Sequence, residues 1–145
     1  MRNIKVTIEY DGSAFSGWQA QPGRRTVQGE IARAASKLSG GDVKVVGAGR
    51  TDAGVHAEGQ VANFPTDRDY SIQTIRDALN GNLPPDILVR KAEEASPIFN
   101  ARFDAYSKTY SYIFIRRKTA LWRSRFLEVP EGLDVEAMRR AAGEL

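Results

Sequence analysis

The feature that most constrains the fold is a change of apolar period along the chain. Apolar residues alternate from Ile4 to Tyr10, which predicts a half-buried strand ending at the turn signal Asp11-Gly12. Thr26 then precedes a segment whose apolar residues recur at helical spacing, and Gly40-Gly41 is a signal for its end. The apolar positions of this predicted helix are Val27, Ile31, Ala34, Ala35 and Leu38.

Three more strands and one more helix are predicted before residue 92. Residues 43–46, 60–64 and 87–91 have the apolar character of strands, and Ser71 can cap a helix carrying Ile72, Ile75 and Leu79. This helix should end near Gly81 and Pro84-Pro85. The order β-α-β-β-α-β is the split βαβ arrangement of ferredoxin-like and RRM-like α+β domains. Such a domain has an antiparallel sheet with helices on one face, and its other face is free for a partner.

The remaining chain predicts the beginning of a second domain. Residues 108–116 alternate in strand fashion, and Asp134 can cap a helix whose apolar stripe continues to Leu145 without a stop signal. We therefore expect a complete N-terminal domain over residues 1–105 and an incomplete second domain over residues 106–145. On this interpretation the sequence is the N-terminal portion of a longer protein.

Composition excludes several classes of protein. The chain of 145 residues is 41% hydrophobic and 27% charged, as in an ordinary folded domain. No apolar run approaches the ~20 residues of a membrane span, and the alternating N-terminus is unlike a signal peptide. There is no cysteine, which fits a reducing compartment. We therefore expect a cytoplasmic protein that does not associate with membranes.

Positive charge is concentrated between residues 101 and 125. This segment has seven positive residues and one negative residue, Asp104, and six aromatic side chains lie among them. Cations that meet phosphates and rings that stack on bases are typical of nucleic-acid binding. A solvated cationic surface beside an ordinary strand explains the same composition. The positive residues are Arg102, Lys108, Arg116, Arg117, Lys118, Arg123 and Arg125.

The loop "GRTDAGVHA", residues 49–57, contains the candidate chemistry. It lacks the Lys-Ser/Thr pair of a P-loop and the third glycine of a dinucleotide fingerprint. One histidine without cysteine makes a metal site improbable, so His56 is predicted to be a structural hydrogen-bonding residue. Asp52 has two interpretations. It caps a turn through its side chain, or it is a carboxylate kept ionised near Arg50 that acts as nucleophile or base.

Six segments together resemble the tRNA pseudouridine synthase A family. They begin with "YDGSAFSGWQAQ" at residues 10–21 and "TVQGE" at residues 26–30. The catalytic signature of the family resembles "GAGRTDAGVHAEGQVANF", residues 47–64. "LNGNLPPDI", "FNARFDA" and "KTYSYIF" follow in the order of the family. Asn100 stands where a histidine is often found, and we expect this difference to have no chemical effect.

The resemblance implies an enzyme that isomerises uridine to pseudouridine in the anticodon stem-loop of tRNA, without cofactor or metal. Asp52 matches the essential aspartate, Arg50 the arginine that contacts the substrate, and Tyr110 the tyrosine that packs on the target base. The resemblance also implies a homodimer that holds tRNA across basic surface, and a second domain of the pseudouridine synthase fold. We assign RNA contacts to Arg24, Arg25, Arg102 and Lys108.

The reaction breaks the N1–C1′ bond, turns the uracil and rejoins it through C5. A carboxylate can attack C1′ or remove a C2′ proton, and the sequence does not choose between these routes. Either route needs a flipped-out nucleotide. The family also uses a basic and an apolar residue from its C-terminal half, which these 145 residues do not include. We therefore expect this chain alone to be weakly active or inactive.

Two other functions are compatible with the predicted fold. A non-catalytic RRM-like RNA-binding module would need stacking aromatics in its third strand. The corresponding segment "GQVANFP" has one aromatic residue, Phe64. The other alternative is a small ferredoxin-like hydrolase that uses the loop to bind a phosphate or acyl group.

Overall fold

The computed structural model describes residues 1–123 and 125–145, which form two compact units, Met1–Ser107 and Lys108–Leu145. The first unit contains the strands β1 (Arg2–Tyr10), β2 (Val46–Gly47), β3 (Ala57–Thr66) and β4 (Ile87–Ala95). Its helices are α1 (Val27–Ser39) and α2 (Ile72–Asn82), and a short 3₁₀ turn covers Gly12–Ala14. The second unit contains the strands β5 (Phe114–Ile115) and β6 (Leu127–Glu128) and the helix α3 (Val135–Ala142).

The four strands of the first unit form one antiparallel sheet in the order β2-β3-β1-β4. The central strand β1 pairs with both β3 and β4, so that Ile4 lies opposite Phe64 on one side and Glu94 on the other. The predicted α+β architecture with the order β-α-β-β-α-β is confirmed.

One face of this sheet packs against both helices. Ile4, Val6, Ile8 and Tyr10 of β1 are almost completely buried, as the alternation predicts. The helices bury the side chains that the helical spacing selects, and Phe64 and Trp18 complete the core. Burying a side chain of this size stabilises the fold by about 1.5–3 kcal/mol. The buried helix residues are Val27, Ile31, Ala34 and Ala35 of α1 and Ile75 and Leu79 of α2.

Local signals set the helix ends. The side chain of Thr26 accepts a hydrogen bond from the Gly29 amide, and Gly40 ends α1 in the left-handed region with φ +76°. Helix α2 runs through Gly81 to Asn82. Its end is determined by Pro84, because the residue before a proline is forced into extended backbone and Leu83 has ψ 151°.

Strand β2 differs from its prediction over residues 43–46. The Val43 amide donates to the Ser36 hydroxyl, and the Val45 carbonyl accepts a hydrogen bond from Gln28. Because these backbone groups bond to side chains of α1, only Val46 and Gly47 pair with β3. Strand β3 in turn begins at Ala57, three residues before the predicted start.

The second face of the sheet is partly covered by residues 96–104, which we call the strap. Asn3 donates hydrogen bonds to the carbonyls of Ser96 and Phe99, each at 2.9 Å. Asn63 accepts one from the Ala101 amide at 2.8 Å, and Ala101 is buried. The buried side chains of Asn3 and Asn63 thus form hydrogen bonds with backbone groups of the strap. These bonds replace the ones to water that the backbone groups lose on burial.

The second unit differs from its prediction at both ends. Of residues 108–116, only Phe114 and Ile115 form a strand, in parallel pairing with β6. Asp134 caps α3 through a 2.9 Å bond from the Ala137 amide, as predicted. The expectation that this helix continues to the last residue is wrong, because α3 ends at Ala142. Within residues 1–123 and 125–145, no helix has the length and apolar character that crossing a membrane requires.

Candidate active-site loop

The candidate loop joins β2 to β3 and is anchored at both ends. The Ala48 amide donates to the Val61 carbonyl at 2.8 Å, and Gln60 donates to the Gly49 carbonyl at 2.9 Å. Between these anchors the chain turns at Asp52, whose carbonyl accepts a hydrogen bond from the Val55 amide. Gly54 supplies the positive φ of +81° that this turn requires.

Asp52 lies at the exposed tip of this loop. No hydrogen bond or ion pair reaches its carboxylate from any residue in the described parts of the chain, 1–123 and 125–145. The interpretation of Asp52 as a side-chain turn cap is therefore not supported, since the turn is closed by its backbone carbonyl. Arg50 is also exposed, and the described structure shows no ion pair between it and Asp52. Both charged groups are open to an incoming ligand.

A second loop contacts the candidate loop and holds it in place. We call residues 11–18 the platform loop. The Trp18 amide donates to the Thr51 carbonyl at 2.9 Å, and the hydroxyl of Tyr10, the residue just before this loop, lies 2.8 Å from the Thr51 hydroxyl. A Cβ on Gly17 would lie 2.8 Å from the Thr51 carbonyl oxygen, and a Cβ on Gly12 would lie 2.0 Å from that of Val55. Glycine at these two positions allows the loops to touch.

Trp18 fixes the base of the platform loop in the core. Its side chain is buried and packs against Tyr10 with 6.2 Å between ring centroids. Gly47, the last residue of β2, lies directly against the indole, because a Cβ there would lie 2.4 Å from the ring. The candidate loop therefore starts from a backbone position that the core holds in place.

His56 is a structural hydrogen-bonding residue, as predicted. Its Nδ1, when it carries no proton, accepts a hydrogen bond from the Gly12 amide at 3.1 Å; when protonated, it donates to a carboxylate oxygen of Asp11 at 3.0 Å. These contacts tie the end of the candidate loop to the platform loop. Within the described residues, no three His, Cys, Asp or Glu side chains come together as a metal site would need.

Of the predicted RNA contacts in the first unit, Arg25 has structural partners. It forms a bidentate ion pair with Asp86, in which the two guanidinium nitrogens lie 2.8 and 2.9 Å from the two carboxylate oxygens. Its guanidinium also lies 4.1 Å from the centroid of the Phe15 ring. The hydrogen bond to Asp86 raises the pKa of Arg25. Arg24 and Arg102 are exposed.

Tyr110 and Lys108 belong to the second unit, where both are exposed. The loop contacts fix Thr51, which lies between Arg50 and Asp52 in the sequence, whereas Tyr110 belongs to a different unit. Sequence reasoning did not identify Thr51, Tyr10 or Trp18 as support for the loop. The available signal was the set of glycines at positions 12, 17 and 47, within the same segments that carry the resemblance.

Residues 6–104 match the family described as tRNA pseudouridine synthase. A tRNA pseudouridine synthase A of Caldicellulosiruptor bescii is 48% identical over 143 residues, which cover 97% of this chain and 59% of that protein. One of Xanthobacter autotrophicus is 47% identical over 148 residues, covering 100% and 60%. One of Geobacter sulfurreducens is 46% identical with the same coverage of both chains. The chain thus spans about three fifths of the length of these relatives.

Proposed function

The chain belongs to the tRNA pseudouridine synthase family, and we propose that its protein converts uridine to pseudouridine in tRNA, with Asp52 as the reacting carboxylate. The observation that carries this proposal is the exposed carboxylate of Asp52, which has no partner within the described residues and stands on a well-anchored loop. Anchoring a reactive group on a rigid support is what catalysis by positioning needs.

The reaction requires that this loop provide a reactive carboxylate, space for the nucleotide and a positive charge. A carboxylate must reach the sugar of a flipped-out nucleotide, either at C1′ or at the C2′ proton. The small residues Ala53 and Gly54 leave space beside Asp52 for that approach. Arg50 supplies a positive charge for a flanking phosphate or fills the space that the nucleotide leaves in the helix. Asp52 and Arg50 carry out these roles without competing protein contacts.

Tyr110 is the proposed stacking partner of the loosened uracil. Its ring is 74% exposed in the second unit, so its face is open to a base. Stacking on an aromatic ring lets the uracil turn while it is detached, and the hydroxyl can take part in a late proton transfer. The anticodon stem-loop as the region modified, and a homodimer as the working form, belong to the same proposal. Substrate and assembly are here inferred from the family.

Two observations favour this enzyme over an RRM-like binding module. An RRM stacks bases on aromatic side chains of the open sheet face. The one aromatic residue of the corresponding segment, Phe64, is buried on the helix side. On the second face, Lys5 and Lys91 are paired with Glu93, and these hydrogen bonds lower the pKa of the Glu93 carboxyl. A face whose strands carry paired charges and which the strap partly covers is unsuited to base stacking.

The substitution Asp52→Asn tests the proposal most directly. Pseudouridine formation, measured by tritium release from uridine-labelled tRNA, should fall by at least about 10²-fold because the amide cannot act as nucleophile or base. The assays use the full-length protein, and the 145-residue chain is assayed beside it and expected to be weakly active or inactive. Asp52 is exposed, so stability and tRNA affinity should be unchanged.

The matched control is Asp42→Asn, another exposed aspartate of the first unit, which should retain full activity. Full pseudouridine formation by Asp52→Asn would show that Asp52 is not the reacting carboxylate. Normal tRNA binding without any turnover by the unmodified protein would instead support the binding-module alternative.

Arg24 and Arg25 are neighbours with different surroundings, which makes them a test of the basic surface. Arg24→Ala should weaken tRNA binding and reduce the salt slope of log K by about one, because its exposed charge is available to a phosphate. Arg25→Ala should change the slope less, since Asp86 already balances its charge, and should lower the thermal midpoint. Equal slopes for both variants would contradict this assignment.

A further inference from the structure

We propose that Thr51 is a positioning residue for the reaction, and that the Tyr10 hydroxyl and the Trp18 amide hold it in place. The proposal rests on the function proposed for Asp52. It adds that the geometry of Arg50 and Asp52 is set by the residue between them. On this proposal the platform loop affects the rate of the reaction, although it contacts none of the reacting atoms.

Thr51 is held at two points. Its hydroxyl lies 2.8 Å from the Tyr10 hydroxyl, and its carbonyl accepts the Trp18 amide at 2.9 Å. Both partners are buried. Tyr10 is the last residue of β1 and pairs with Ala57 and Ile87 on the two neighbouring strands. The position of Thr51 is therefore linked to the centre of the sheet.

The neighbours of Thr51 have no such attachment. Among residues 50–55, Thr51 alone has a side-chain hydrogen bond to another described residue. Arg50 and Asp52 are exposed on either side of it. Their charged groups can be directed only through the backbone that they share with Thr51. If that backbone shifts, both groups shift together.

Gly17 makes the second attachment possible. Its φ is +84°, and a Cβ there would lie 2.8 Å from the Thr51 carbonyl oxygen and 3.3 Å from the Ala53 amide nitrogen. The absence of a side chain lets the next residue, Trp18, bring its amide to the Thr51 carbonyl. The platform loop thus has both the donor and the clearance that this contact needs.

The experiment compares Thr51→Val, Thr51→Ser and Tyr10→Phe with the double variant Tyr10→Phe/Thr51→Val in the full-length protein. Valine keeps the shape of threonine without the hydroxyl, and serine keeps the hydroxyl. We expect Thr51→Val and Tyr10→Phe each to lower kcat by about 10-fold, since misplacement by ~1 Å can cost as much as ~10²-fold. The Kd for tRNA should remain within about twofold, because ground-state binding is not removed.

Three further results are expected. Thr51→Ser should restore most of kcat. The double variant should be no worse than either single variant, because both changes remove the same hydrogen bond. Hydrogen exchange of the backbone amides of residues 50–55 should accelerate in Thr51→Val and Tyr10→Phe, while exchange in α1 stays unchanged.

Unchanged kcat in Thr51→Val would overturn the positioning role, whether or not loop exchange accelerates. Equal losses in Thr51→Ser and Thr51→Val, or losses that multiply in the double variant, would also overturn it. If the unmodified protein forms no pseudouridine, the proposed function fails. The exchange measurement then still decides whether Thr51 holds the loop, so the two failures are distinguishable.

Discussion

The two units show how differently similar sequence patterns behave with and without burial. Within the described residues, every buried hydrophobic side chain belongs to Met1–Ser107. There, the alternation of β1 produces a nine-residue strand paired on both sides. In Lys108–Leu145, the alternation of residues 108–116 produces the two-residue strand β5, and α3 has no buried side chain. A pattern becomes a long element where neighbours bury it.

The physical reason is that strand stability comes mainly from cross-strand contacts and burial. Tyr110 and Tyr112 alternate as regularly as Ile4 and Val6, yet their side chains are exposed. The candidate site follows the same division. Asp52 stands on a loop fixed to the core of the first unit, whereas Tyr110 belongs to the unit in which exposed aromatics predominate.

The largest effect is expected from truncating a core ring in one unit and a surface ring in the other. Phe64→Ala should lower the free energy of unfolding of the first unit by about 3–5 kcal/mol, because Phe64 is fully buried. Phe114→Ala should cost less than about 1 kcal/mol, since Phe114 is 43% exposed. Urea unfolding followed by Trp18 fluorescence in a Trp122→Phe background measures the cost in the first unit, and hydrogen exchange of the backbone amides of Lys108–Leu145 measures it in the second. Similar costs for the two variants would remove the distinction between the units.

A smaller difference in unfolding free energy is expected between alanine substitutions at two glycines, one in each unit. Gly47→Ala should lower the unfolding free energy by about 1–3 kcal/mol, because the new Cβ would lie 2.4 Å from the Trp18 ring. Gly132→Ala in the second unit should be close to neutral, since no atom lies within 4 Å of the corresponding Cβ. The same two measurements, urea unfolding for the first unit and hydrogen exchange for the second, provide the readouts. A neutral Gly47→Ala would mean that the indole moves aside at no cost, and that Trp18 does not fix the start of the candidate loop.

Much of the fold was predictable because its signals are local. Thr26, Ser71 and Asp134 cap their helices through amides three residues ahead, and Gly40 ends α1 in the left-handed region. Such contacts depend on a few neighbouring residues, so they are visible in the sequence. The alternation of β1 gave its buried face, because successive side chains of a strand point to opposite sides.

The sequence by itself determined the order of the elements, the helix starts and the end of α1, and it identified the loop around Asp52 as the candidate site. Only the tertiary structure decided that Val43 and Val45 bond to α1, that Arg25 pairs with Asp86 across 61 residues, and that Thr51 bonds to Tyr10 across 41 residues. These contacts join side chains whose sequence separation has no fixed period. Their partners follow from the packing of the whole unit, which no local pattern encodes.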